Sequence, residues 1–165
     1  MNKDLLDQKI NLLYSYSEVD PAVTERIKES VLSGDDWLLR RINPYRFAES
    51  CSLDSAKAVN VFLYASRIGL FDLSWNLVCP SCGGVLNRNN SVNDLGEGTK
   101  INHCAVFSLD VPINIDGYVE VSFSINPKIR KEEIDPLQRL WKFQKILFSP
   151  NFERSPELAV YAGAF

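Results

Sequence analysis

A chain of 165 residues, 45% apolar and 24% charged, is long enough to bury a sizeable core and too apolar to stay disordered. A net charge of −3 and a pI near 5.2 weigh against a general grip on nucleic acid, which draws on a basic face. No run approaches the roughly 18 apolar residues of a membrane span, and Met1-Asn2-Lys3-Asp4 leads into an acid-bearing amphipathic pattern unlike a signal peptide, so the expected location is cytoplasmic.

Leu6, Ile10 and Leu13 recur at helical spacing and predict a helix from Asp4 to Ser17. Asp20-Pro21 opens the next one: the carboxylate caps free N–H groups, and proline sits where no N–H is needed. Val23, Ile27 and Val31 form its apolar stripe, and Gly34 stops it. After the short segment Asp35–Arg41, Asn43-Pro44 repeats the cap-and-proline signal and opens a helix to Glu49. Beyond a break at Ser50-Cys51-Ser52, a longer helix is expected over Leu53–Arg67, with Val59, Phe62, Leu63 and Ser66 on one face and Gly69 as its stop. A short helix, a tight turn and a longer helix outline a helix-turn-helix unit.

The period then changes. Phe71–Val78, with Trp75, reads as a strand. Cys79-Pro80-Ser81-Cys82-Gly83-Gly84 forms a knuckle, Val85-Leu86 a short strand, and the polar stretch Asn87–Lys100 a surface loop. Ile101–Asp110 holds one or two short strands. In Tyr118–Ile125, the clearest strand, Val119, Val121, Phe123 and Ile125 alternate with Glu120, Ser122 and Ser124; the first set is expected to face the core with Trp75 close by. Asp116-Gly117 turns the chain before this strand, and Asn126-Pro127 ends it. Asp135-Pro136 signals a last helix carrying Leu137, Leu140, Trp141, Gln144 and Phe148. The final stretch, with Leu158, Val160, Tyr161 and Phe165, stays apolar, unlike a free polar tail. It is expected to dock on a protein partner or a second copy, or to lead into a further domain. The predicted class is α+β: a helical, winged-helix-like region (1–70), then a small antiparallel, degenerate zinc-ribbon-like region with a C-terminal helix (71–165), the two sharing one core.

The cysteines carry the strongest chemical signal. A two-residue spacer lets Cys79 and Cys82 reach one tetrahedral zinc, and Gly83-Gly84 permits the tight turn. Some twenty residues on, Cys104 stands where a second ligand pair begins, but Phe107 occupies the place of its partner. His103 is the alternative fourth ligand, although adjacent strand residues point to opposite faces unless a bulge intervenes. Three readings stay open. Zinc is bound by Cys79, Cys82, Cys104 and either His103 or an outside ligand. Alternatively, a metal-free ribbon is held by packing, with the three cysteines still clustered. The third is a redox Cys-x-x-Cys, which Gly83-Gly84, a poor helix start, disfavours. Cys51 reads as a small buried hydrophobe. No Gly-rich phosphate loop, Ser-His-Asp pattern or paired carboxylates complete a catalytic set, so a non-enzymatic protein is expected.

Arg40, Arg41, Arg46, Lys57 and Arg67 are the candidate nucleic-acid contacts of the helix-turn-helix outline, with Lys128, Arg130 and Lys131 as a second basic cluster. A continuous basic stripe along Leu53–Arg67 would mark a winged-helix, zinc-ribbon regulator of nucleic acid. The many apolar residues of that helix and the negative net charge point instead to weak or no DNA binding.

Several motifs together carry a resemblance. They are Ile42-Asn-Pro-Tyr-Arg-Phe-Ala48, Ala65-Ser-Arg-Ile-Gly-Leu-Phe-Asp-Leu-Ser-Trp75, the Cys79-Pro-Ser-Cys82-Gly-Gly knuckle, His103-Cys104, and Asp116-Gly-Tyr-Val-Glu-Val-Ser-Phe123-Ser-Ile-Asn-Pro-Lys-Ile-Arg130. Over residues 35–160 the chain resembles a bacterial domain of unknown function found N-terminal to class III adenylate/guanylate cyclase catalytic domains. In that family the His-Cys pair usually begins a second Cys-x-x-Cys, from which this chain departs at Phe107. The cyclase domain itself is absent from the 165 residues, so no cyclase activity carries over. The resemblance implies a regulatory or protein-interaction module of a bacterial signalling system.

Overall fold

The computed structural model describes residues 1–34, 36–80, 84–91, 102–104, 108–111 and 118–131. Cys82, Phe107, the last helix and the apolar ending expected from the sequence lie outside them. The described residues form α1 (Lys3–Tyr14), α2 (Pro21–Ser33), α3 (Asp36–Leu39), α4 (Pro44–Cys51) and α5 (Ser55–Arg67), with β1 (Phe71–Val78), β2 (Val85–Asn89), β3 (Asn102–Cys104), β4 (Leu109–Val111) and β5 (Val119–Ile125). Helix and strand are thus mixed. No described helix is long and apolar enough to cross a membrane. The chain divides into two compact units, 1–74 with 121–133, and 75–120 with 134–165.

In the first unit each of the four longer helices opens on an Asn or Asp whose side chain accepts from the first turn. Asn2 accepts from Leu5, Asp20 from Ala22 and Val23, Asn43 from Tyr45 and Arg46, and Asp54 from Lys57. Pro21 and Pro44 follow two of these caps, as the dipeptides predict. Because Asp54 takes the cap, α5 begins at Ser55 and not at Leu53. Helix α4 runs on through Cys51 and ends at Ser52, which adopts φ 55° in the left-handed region. Gly34 ends α2 for a reason other than a left-handed turn: its backbone is extended (φ −67°, ψ 153°), and a Cβ there would collide with the Ser30 carbonyl.

One apolar core gathers Leu6, Ile10 and Leu13 of α1, Val23, Ile27 and Val31 of α2, and Ala58, Val61, Phe62 and Ala65 of α5. At its centre the Phe62 ring lies 5.3 Å, centroid to centroid, from each of Phe47, Phe71 and Phe123. Full burial of the Phe62, Phe71 and Phe123 rings contributes about 1.5–3 kcal/mol each. The buried stripe of α5 is rotated from the expected one: Ala58 and Ala65 let neighbouring backbones approach, while Val59 is half-buried and Leu63 is 47% exposed.

Three strands form a sheet in the order β2-β1-β5. Outside β5, Ile42 bridges Phe123 through two backbone bonds of 2.7 and 2.9 Å. Phe123 and Ile125 reach the core, Val121 packs partly against it, and Val119 is half-buried in the second unit. Ser122, on the face opposite Val121 and Phe123, is 1% exposed, and Ser74 is buried as well, so the polar face is covered at these positions.

After β5 the chain folds into a tight turn. Asn126 Oδ1 accepts from the Lys128 N–H, the Asn126 carbonyl accepts from Ile129 and Arg130, and the buried Ile129 gives its carbonyl to the Asn2 N–H at 2.7 Å. The Arg130 guanidinium donates to the carbonyls of Val31 (2.5 Å) and Gly34 (2.9 Å) and pairs with Asp36 Oδ1 at 2.7 Å. It thereby caps the end of α2 with a cation.

In the second unit β1 and β2 form an antiparallel hairpin, with Trp75 opposite Asn89 and Val78 opposite Val85, and an irregularity between Leu77 and Val78. This pairing draws Asn87–Asn89 into β2, where the sequence reads as loop. A second antiparallel pair sets Asn102 opposite Val111, His103 opposite Asp110 and Cys104 opposite Leu109.

Candidate functional site

The bulge before Cys79 and the bond from its N–H to the Gly84 carbonyl (2.8 Å) turn the chain at the end of the first hairpin. Cys104 comes from the second hairpin. The two thiols are 1% and 2% exposed and share one small buried cluster, with Leu86 packed against it. Neither is in a disulfide. Cys82 lies outside the described residues. Among the described residues no group of three or more His, Cys, Asp or Glu stands together as a metal site. His103 turns the other way: it is 59% exposed, and its Nδ1 lies 3.0 Å from Asp110 Oδ1 across the β3–β4 ladder. Strand alternation accounts for this divergence from Cys104. Cys51, expected to be buried, is half-buried at the end of α4, with its sulfur 3.7 Å from Ser50 Oγ.

The five cations of the helix-turn-helix outline are spread among different local settings. Arg40 and Arg41 are half-buried and engaged with other groups. Arg46 and Arg67 are exposed on different helices. Lys57 pairs with Asp20 at 2.9 Å. The Lys57 hydrogen bond, helped by the Val23 and Ala22 N–H groups and opposed by burial, holds the Asp20 carboxyl below the usual carboxylate value; the same hydrogen bond and charge raise the Lys57 ammonium. Elsewhere on α5, Asn60 donates to the Glu18 carbonyl at 2.7 Å, and Tyr64 packs on Tyr16 at 4.9 Å. Of the remaining outward residues, Ala56 and Leu63 are apolar and Arg67 is charged.

The motifs behind the resemblance prove to be largely architectural. Ile42 joins β5, Asn43 caps α4, Ala48 is fully buried, and Asn126 shapes the turn that delivers Arg130 to α2. Sequence reasoning places Arg130 in a basic cluster with Lys128 and Lys131 and gives it no partner. Its ion pair with Asp36 joins the two separate sequence stretches of the first unit, and no local pattern announces it. Lys9 is a similar case, donating to the Ile68 carbonyl at the end of α5 (2.5 Å).

No curated protein and no solved structure matches the chain. A family model does match, over residues 6–153, from the first core leucine of α1 to beyond the Arg130 turn. The chain therefore belongs to DUF5939, a family of unknown function.

Proposed function

We propose that the chain is a non-enzymatic regulatory module of a bacterial signalling system, acting in the cytoplasm through protein contacts beside a class III cyclase catalytic domain. The observation that supports it best is the fate of the cations on the helix-turn-helix outline. Lys57 is engaged by Asp20, and of the other outward residues of α5 Ala56 and Leu63 are apolar, leaving Arg67 as a charged donor where a groove-binding helix would present several. Arg40, Arg41, Arg46 and Arg67 then act as solubilising or local structural charges. Leu158, Val160, Tyr161 and Phe165 are the proposed partner contacts, on the strength of their apolar sequence.

Two measurements test this reading. The full chain is titrated with random duplex DNA at low and at physiological salt, and separately with a purified class III cyclase catalytic domain by calorimetry. The expected result is saturable binding to the catalytic domain, weakened by deleting residues 158–165, with no DNA binding at physiological salt. Tight DNA binding with a steep salt dependence would instead establish the nucleic-acid role.

A further inference from the structure

We draw no further inference here: the strongest candidate, the exposed apolar surface that Leu38 of α3 and Tyr45 at the start of α4 present on the first unit, carries nothing because nothing in the structure shows what covers it.

Discussion

Replacing Arg130 with methionine removes three anchors while keeping most of the apolar stem. The guanidinium serves the Val31 and Gly34 carbonyls and the Asp36 carboxylate, and the side chains of the ion pair are 18% and 22% exposed. A hydrogen bond from a charged donor is worth about 1.5–3 kcal/mol, and breaking one side of a buried pair costs about 3–5 kcal/mol. Water reaches roughly a fifth of each side chain here, so screening brings the combined loss to about 3 kcal/mol. With a urea slope of about 2 kcal/mol/M, the midpoint should fall by roughly 1.5 M. The assay is urea unfolding followed by far-ultraviolet circular dichroism, with the slope unchanged. Arg130→Lys should recover only part of the loss, because an ammonium cannot span the three acceptors in one plane. In a cycle with Asp36→Asn the two positions should couple by about 1 kcal/mol or more. If Arg130→Met stays within about 0.5 kcal/mol of the parent, the clamp has no energetic role and the reasoning fails.

Three further outcomes follow from the first unit. Phe62→Ala opens a void facing three other rings and should cost about 3–5 kcal/mol, read from the thermal midpoint; a loss under about 1 kcal/mol would mean that the cluster collapses to fill it. Gly34→Ala sets a methyl against the Ser30 carbonyl and should destabilise the unit in the same assay, whereas a neutral result would show that the end of α2 shifts freely. Asp20→Ala removes both a cap and the partner of Lys57, and should cost about 1 kcal/mol at neutral pH. Because the folded Asp20 carboxyl titrates below its ordinary value of 3.8, its contribution is complete above that value and disappears as the pH falls through the lowered one. The parent and Asp20→Ala stabilities should therefore converge in strong acid; a gap independent of pH would rule out the charge as its source.

What the sequence reveals here is mostly what neighbouring residues decide among themselves. Asp20-Pro21 and Asn43-Pro44 open helices where expected, since a cap needs only its own first turn. Strand β1 covers Phe71–Val78 as read, and β5 begins one residue after Tyr118. Burial on α5 is less legible. Val59 and Leu63 look like core residues by hydrophobicity, but Ala58 and Ala65 occupy the buried face, because close helix packing selects for size as well as apolarity. Ser122 misleads in the same way: alternation predicts its face correctly, yet not that the face is covered. At the candidate site the Cys79–Cys104 association is readable from ligand spacing, and the divergence of His103 from strand parity. The Arg130–Asp36 pair is not readable, since it depends on how distant segments meet.

The first unit closes with the bond from the Asn2 N–H to the Ile129 carbonyl, and residues 75–120 are inserted between its two parts. During synthesis the helices emerge early, but Phe123, Ile125 and Ile129, which belong to their core, emerge only after the whole insertion. Until then Phe62 lacks one of its ring neighbours, and the nascent helices expose an unfinished apolar surface. Closing the unit also means bringing together ends separated by that long excursion, which lowers the folding rate more than the final stability. The insertion is thus the natural point at which chaperone dependence would enter the biogenesis of this protein, and a version with residues 75–120 replaced by a short turn should refold faster than its parent.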